Sequence, residues 1–260
     1  MTAFFAVDAL AKAFAGVPAV DGLSFAIERG AIVGLVGPNG SGKSTTIDCL
    51  TGFQSADAGR WTLDGRDLAP LNRYRIAHAG VTRTFQAVQA YERLSVIDNL
   101  RAACQEYDAV GWLDSVFRTG RLRAADAEIE ARARQLLEIV GLTHLIDAPV
   151  QVLSYGQRKL LAIAGAMMSS PKLVFLDEPV AGVNPTMINR IAALLRTFNE
   201  RGVTLVVVDH NMEFIMRLCH RVIVLDLGRA IADGPPAIVQ SDARVLDAYM
   251  GAAGAAAAPA

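Results

Sequence analysis

The residues Gly37-Pro38-Asn39-Gly40-Ser41-Gly42-Lys43-Ser44 carry the densest chemistry in the sequence: two glycines flank four residues and lead into Lys-Ser. Such a loop suits a polyphosphate. Backbone N–H groups can turn inward against phosphate oxygens only where no Cβ intervenes. Lys43 adds a positive charge for β- and γ-phosphates, and Ser44 a small hydroxyl for Mg²⁺. An apolar run, Ala31 to Val36, enters the loop. Beyond it Ser44 to Leu50, with Thr45 in the first turn, can open a helix whose N-terminus favours anions. This context separates the loop from a plain glycine turn.

Two further groups stand where a phosphate site needs them. The apolar run Leu173 to Leu176 ends in Asp177-Glu178, and ligands collect at the carboxyl ends of parallel strands. Asp177 there suits Mg²⁺, directly or through water, and Glu178 could accept the proton of an attacking water. Acidic residues also cap strands for no other purpose, so the pair takes its meaning from the phosphate loop. Leu153-Ser154-Tyr155-Gly156-Gln157 precedes Asp177 by 20 residues, counted from Gln157. Locally it reads as a capped helix start, with Ser154 as N-cap and Gln157 at N3.

Holding these groups together calls for an α/β fold. Short strands are expected at Phe4 to Val7, Ser24 to Ile27, Ala31 to Val36, Trp61 to Leu63 and Val81 to Phe85, separated by turns such as Asp64-Gly65. Residues 92–150 read as helical. From Leu122 to Val140, Ile129, Ala133, Leu136, Leu137 and Val140 share one face, with Glu128–Arg132 and Glu130–Arg134 pairs outside it. The last third alternates: helix Ser154 to Met168, strand Leu173 to Leu176, helix Thr186 to Glu200, strand Val203 to Val208, helix Met212 to Leu218, strand Arg221 to Leu225. Strands alternating with helices imply a parallel sheet covered on both faces, and the unbroken apolar runs at 173–176 and 205–208 agree.

Composition narrows the function. A chain of 260 residues, 52% of them hydrophobic, can bury a sizeable core in one large domain or two small ones, and is not disordered. With 25 basic and 26 acidic side chains it has no overall positive field to hold nucleic acid. The mean hydropathy of +0.31 is high, yet no run approaches the roughly 18 apolar residues of a membrane span. Met1 to Leu10 has no cationic start and makes a poor signal peptide, which predicts a protein that stays where it is made. Cys49, Cys104 and Cys219 are odd in number and widely spaced, so buried thiols are expected rather than disulfides or a metal cage. Gly251 to Ala260 contains only Gly, Ala and Pro and is expected to be disordered.

With the Leu153–Gln157 segment in place, the chain resembles the ATP-binding cassette (ABC) ATPases, whose signature is close to Leu-Ser-Gly-Gly-Gln; Tyr155 replaces the first glycine. The resemblance covers nearly the whole chain and implies ATP and Mg²⁺ as ligands. Phe14, 23 residues before Gly37, is similar to the aromatic residue that stacks on adenine and lacks only a hydroxyl of the frequent tyrosine. Gln86 in Arg83-Thr84-Phe85-Gln86 is similar to the glutamine that senses Mg²⁺ and the attacking water. His210 is similar to the histidine that contacts the γ-phosphate; alone, a histidine after a strand also reads as structural. The implied catalytic groups are therefore Glu178, His210 and Gln86. Nucleotide binding falls to Phe14, to Gly37, Pro38, Asn39, Gly40, Ser41, Gly42, Lys43, Ser44 and Thr45, and to Ser154, Gly156 and Gln157; the metal falls to Ser44, Gln86 and Asp177. In Ala181-Gly182-Val183-Asn184, the last residue stands where many members carry Asp, which leaves its part in communication between subunits open.

The family's fold is a P-loop NTPase core, a parallel sheet flanked by helices, with an antiparallel β subdomain and an inserted α-helical subdomain. Carried over, it implies one ABC ATPase domain at 1–250, its core and β subdomain from 1–91 and 159–250, its helical and signature subdomain from 92–158, and a tail at 251–260. Two subunits of this family meet head to tail with ATP between them, the signature helix of one offering N–H groups to the other's nucleotide. The second subunit is a paralogue or a copy of this chain, and the other partners are transmembrane permease subunits and, indirectly, an extracytoplasmic solute-binding protein. The expected location is the cytoplasmic face of the inner membrane. Val88, Tyr91 and Leu94 are candidates for a permease groove, and Tyr107, Val110, Trp112, Leu113, Val116 and Phe117 form a second apolar group; both sets could equally pack the helical region. Arg83–Gln86, Leu153–Gln157, Ala181–Pro185 and the ending Asp247-Ala248-Tyr249-Met250-Gly251 look like the ATPase subunits of branched-chain amino acid importers. ATPases of urea or amide import and of lipopolysaccharide export share several of these features. DNA-repair ABC ATPases carry a long coiled coil where Ser44 to Leu153 holds a compact region, and translation-associated ones need two cassettes, so transport is the expected role.

Overall fold

The computed structural model describes residues 3–84, 90–104 and 120–256. Gln86, Val88 and the apolar group from Tyr107 to Phe117 lie outside the described residues. The strands, numbered in chain order, are β1 (Phe5–Phe14), β2 (Val17–Ile27), β3 (Ile32–Val36), β4 (Ala58–Leu63), β5 (Arg66–Asp67), β6 (Val81–Arg83), β7 (Leu173–Asp177), β8 (Thr204–Val208), β9 (Arg221–Asp226) and β10 (Arg229–Gly234). They form two sheets. A 6-stranded sheet has the order β10-β9-β3-β8-β7-β6, and a 4-stranded sheet the order β2-β1-β4-β5. All neighbours in the larger sheet run parallel except β9 and β10, and the smaller sheet is antiparallel. The expected α/β architecture is thus present.

Side-chain alternation explains why the central strands read as unbroken apolar runs. Ile32, Val174, Leu176, Leu205, Val207, Val222 and Val224 point into one core, shared with the helices Tyr155–Met167, Pro185–Glu200 and Met212–Leu218. Their neighbours Val33, Leu35, Leu173, Phe175, Val206, Val208 and Ile223 point into a second core, shared with the antiparallel sheet and the helix Lys43–Leu50. A strand that feeds both faces can have no polar position in its middle. Phe5 joins the two sheets edge-on to Phe175, ring centroids 6.0 Å apart.

The helix Gly120–Val140 buries Ile129, Ala133, Leu136, Leu137 and Val140 as its periodicity requires. Glu128 and Glu130 pair with Arg132 and Arg134 one turn on. All three cysteines are buried thiols outside any disulfide.

Three departures from the sequence reading have local causes. The N-terminal strands run on to residue 14 and start from residue 17, because Ala15 (φ 48°) and Gly16 (φ 83°) close a two-residue hairpin with both turn residues left-handed. Alanine gives no turn signal at such a position. Leu227 (φ 45°) and Gly228 (φ 80°) turn β9 into β10 in the same way, and β10 was not expected. Finally, the chain expected to be disordered continues a helix, Ala243–Ala256. Alanine has the highest helix propensity, and extending an existing helix needs no new nucleus; residues 257–260 lie outside the described residues.

Ala15 holds an unfavourable backbone conformation that asparagine tolerates. Ala15→Asn is therefore expected to stabilise the chain by about 0.5–1 kcal/mol, read as a higher urea midpoint with an unchanged slope; a lower midpoint would refute the turn geometry.

Candidate functional site

Strand β3 is buried along its whole length and delivers the chain into the phosphate loop. Two glycines there have no substitute. A Cβ on Gly37 (φ 151°) would sit 2.1 Å from the Leu225 carbonyl oxygen, and one on Gly42 (φ 97°) 2.2 Å from that of Ala19. Pro38 is buried, whereas Asn39 and Gly40 are exposed, with open space beside Gly40. The loop is held from outside: Gly228 N donates to Ser41 O at 3.1 Å, and Asp21 N to Gly228 O at 3.0 Å. The hairpin turn that the sequence hid is thus a wall of the loop.

The helix Lys43–Leu50 starts without a side-chain cap, its N-cap being Gly42. The helices beginning after Ser154, Asn184 and Asn211 all have one. The first intrahelical bond runs from Thr46 N to Gly42 O at 2.8 Å, so the N–H groups of Lys43, Ser44 and Thr45 have no intrahelical acceptor. Lys43 is buried. Its Nζ donates to Gly37 O (2.8 Å), Pro38 O (2.9 Å) and Ser41 Oγ (3.3 Å), all neutral groups. Burial pushes the Lys43 pKa below the ordinary lysine value, opposed by the Glu178 and Asp177 carboxylates. An uncapped helix end, a buried ammonium and a glycine arc open to solvent fit a polyphosphate. Among the described residues no three His, Cys, Asp or Glu side chains cluster as a metal site. A cation here would draw mainly on phosphate and water oxygens with one or two protein donors, which is the habit of Mg²⁺.

At the end of β7, Asp177 is nearly buried. Its N–H donates to Thr84 Oγ1 at 3.2 Å, and its Oδ2 lies 3.5 Å from Arg83 Nη2; Arg83 also pairs with Asp48. Burial pushes the Asp177 pKa up; Arg83 opposes this, and Glu178 and Asp48 reinforce it. Glu178 has left-handed backbone (φ 49°), its N–H donating to Val208 O at 2.7 Å. Its Oε1 lies 3.0 Å from His210 Nε2. The parallel pairing of β7 with β8, Asp177 opposite Val208, brings these groups to one sheet edge although 31 residues separate Asp177 from Val208 in sequence. Structure therefore brings Lys43, Asp177, Glu178 and His210 within electrostatic or direct contact.

The remaining predicted residues lie in other places. Ser154 accepts from Gln157 N at 3.3 Å, and Gln157 Oε1 accepts from Ser154 N at 2.9 Å, a complete capping box. These bonds are local, and neither residue bonds to the loop or to the Asp177–His210 group. Gly156 packs where a Cβ would meet Met187 Cε at 2.7 Å. Tyr155 is half exposed beside Gly182, with its ring centroid 5.7 Å from Lys159 Nζ. Asn184 caps the helix Pro185–Glu200 by accepting from Met187 N at 2.9 Å, a task asparagine and aspartate do equally well. Phe14 is exposed at the tip of the β1–β2 hairpin, with Lys12 Nζ 5.5 Å from its ring centroid. Tyr91 lines a groove of about 480 Å³ with Phe53, Tyr74, Arg83, Leu100 and Leu161; Leu94 is exposed but is not part of that lining.

Sequence reasoning passed over Asp209, Lys159 and the reach of Tyr249. Buried Asp209 accepts from Val180 N (3.1 Å) and Asn211 N (2.9 Å), pinning the loops that carry Glu178 and His210. Its signal was available, since it follows an apolar strand as Asp177 does. Tyr249, on the last helix, donates to Met212 Sδ at 3.7 Å, which places that helix against the one that follows His210.

The ABC transporter family model matches residues 20–181, and a model for the branched-chain amino acid ATP-binding cassette transporter matches residues 231–255. The chain is 35% identical over 248 residues to the high-affinity branched-chain amino acid transport ATP-binding protein BraF of Pseudomonas aeruginosa, spanning 95% of this chain and 97% of that one. It is also 35% identical over 249 residues to the corresponding LivG protein of Salmonella typhimurium, spanning 95% and 98%. Among solved structures, the ADP conformation of an ATP-binding cassette of an ABC transporter superposes with a TM-score of 0.84 at 30% identity, covering 96% of this chain and 100% of the other. A nucleotide-free ATP-binding cassette gives 0.83 at 31% identity, covering 95% and 99%.

The raised pKa of Asp177 has a thermodynamic consequence. Folding holds this carboxyl's proton more tightly than the unfolded chain does, so the stability it contributes is present at low pH and lost as pH rises through the elevated range. At neutral pH its charge is a burden. Asp177→Asn is expected to raise the melting temperature of the ligand-free chain, with the gain vanishing below the usual carboxyl range; equal melting temperatures at pH 7 would contradict this.

Proposed function

This chain belongs to the ABC transporter family of ATP-binding cassettes, and from that premise we propose that it powers the import of branched-chain amino acids or closely related small polar solutes. Family membership makes it an ATPase. The observation that carries the finer reading is similarity at both ends: the cassette at 20–181 and the branched-chain model at 231–255 match in one chain. Tyr249 gives that second match a structural meaning, since it ties the C-terminal helix to Met212, two residues after His210.

In this reading Phe14 offers its exposed face to adenine. The loop Gly37–Gly42 and the N–H groups of Lys43, Ser44 and Thr45 wrap the phosphates. Ser44, Asp177 and Gln86 would hold Mg²⁺, which supplies charge neutralisation across the β- and γ-phosphates. Lys43 exchanges its neutral carbonyl partners for phosphate oxygens. Glu178 accepts a proton from the attacking water, and His210, already 3.0 Å from it, contacts the γ-phosphate and orients the carboxylate. Ser154, Gly156 and Gln157 stand apart from these groups and face a second subunit's nucleotide across a head-to-tail dimer. That arrangement makes ATP the bond between subunits and hydrolysis the release. The groove beside Tyr91 receives a permease segment at the cytoplasmic face of the membrane. No helix among the described residues is long and apolar enough to cross a bilayer, so transport needs those partners.

Lys43→Ala is expected to weaken ATP binding about 10–100-fold, the value of one or two charge-assisted hydrogen bonds; a calorimetric titration with undiminished affinity would overturn its role. Glu178→Gln is expected to keep ATP binding and to slow hydrolysis by about 10²–10⁴-fold, and undiminished steady-state turnover would remove Glu178 as the base. Loss of the chain from cells should abolish high-affinity uptake of labelled leucine; full uptake of leucine, with loss of urea or amide uptake instead, would reassign the cargo.

A further inference from the structure

We propose that Lys159 is a positioning residue for hydrolysis: it grips the backbone of Glu178 and so ties the helix that begins after Ser154 to the carboxylate of its own chain. The inference rests on the reading of Glu178 as the base.

Lys159 lies on the second turn of the helix Tyr155–Met167, yet it is only 4% exposed. Its Nζ reaches across to the Glu178 carbonyl oxygen at 2.8 Å. Burial pushes its pKa down, while the carboxylates of Asp209, Glu178 and Asp177 oppose that shift. A position so buried on an apolar helix face is usually filled by Leu or Met, and replacing a buried charge by an apolar side chain of similar volume is often neutral or stabilising. Packing therefore does not account for an ammonium here. What it touches does.

Glu178 holds a left-handed backbone, φ 49°, a conformation that is unfavourable for a residue with a Cβ. Such a conformation persists only when neighbours fix it from both sides. Val208 does so on one side, its carbonyl accepting from Glu178 N at 2.7 Å; Lys159 does so on the other. Between these two clamps the side chain is aimed so that Oε1 lies 3.0 Å from His210 Nε2. Lys159 thus sets the direction of the carboxylate without touching the reacting atoms.

The same contact joins two sites. The start of this helix serves the partner's nucleotide in the dimer described above, while Glu178 serves the chain's own. A shift of the helix as it engages the partner's phosphate is passed by one hydrogen bond to the peptide that aims the base. Occupancy of one site then adjusts the base of the other, because both depend on the same rigid helix.

The test is steady-state hydrolysis by the assembled transporter carrying Lys159→Met, which keeps length and volume but no donor, and Lys159→Arg, which keeps a cationic donor. Lys159→Met is expected to lower kcat about 10–100-fold, the usual cost of a misdirected catalytic group. KM for ATP should stay within about two-fold, since phosphate binding is untouched. Lys159→Arg should restore most of kcat. A purely structural role predicts a lower melting temperature in both variants with no separation of kcat from KM, and that result would overturn the inference. Should Lys159→Met fail to fold, Lys159→Gln, neutral and too short to reach the carbonyl, must show the same split. Glu178→Gln is measured beside them: if it hydrolyses normally, the reading of Glu178 falls and this inference with it. If it is inactive while Lys159→Met is fully active, this inference alone falls.

Discussion

A buried ammonium whose hydrogen-bond acceptors among the described residues are all neutral is the constraint around which this molecule is arranged. Lys43 Nζ is held by two carbonyl oxygens and a hydroxyl, beside an uncapped helix end. Neutral acceptors compensate a buried charge only in part. The loop is therefore electrostatically incomplete until an anion enters it. Every neighbouring feature serves that incompleteness. Gly37 and Gly42 bring the backbone closer to Leu225 and Ala19 than any Cβ permits, and the β9–β10 turn at Gly228 braces the loop from behind. The carboxylates of Asp177 and Glu178 pull Lys43 toward its charged form from across the sheet edge.

Those carboxylates are themselves held at a cost. Asp177 and Asp209 both have pKa values raised by burial, and Glu178 sits in a left-handed backbone conformation. None of this stabilises the fold. Charges and strain of this kind collect where a ligand is to be bound and its reaction guided. The parallel sheet makes the concentration possible. Because β3, β7 and β8 run in the same direction, the loops that follow them open at one edge, and three distant stretches of sequence deliver a lysine, two acids and a histidine to it. The two cores on either side of those strands supply the rigidity.

The helix starting after Ser154 belongs to a different part of the surface. Its capping box is complete and local, and Lys159 leads from the same helix to Glu178. In the proposed head-to-tail dimer, the chain would supply half of each of two sites rather than the whole of one. On that proposal the exposed face of Phe14 would receive a base and the helix start a second subunit's phosphate.

Much of this was legible in the residues. The phosphate loop is encoded by glycine spacing because its tight turn leaves no room for a Cβ at Gly37 and Gly42, and the paired cores are encoded by unbroken runs such as Leu205 to Val208 because strands feeding two cores can hold nothing polar. The capping box at Ser154 and Gln157 and the buried face of the helix up to Val140 are likewise local patterns with one physical solution. Tertiary structure alone decided the rest. Ala15 and Leu227 are poor turn residues that are forced left-handed by the pairing of the strands they join, so neither hairpin was visible. Gly251–Ala256 continue a helix that the tail's composition did not announce. Nothing in the sequence singles out Lys159, and the contact of its helix with the end of β7 is what turns it inward. Contacts between residues near in sequence are fixed by the chain's own geometry. A bond between positions 159 and 178, or between 178 and 210, exists only once the sheet has set those strands side by side.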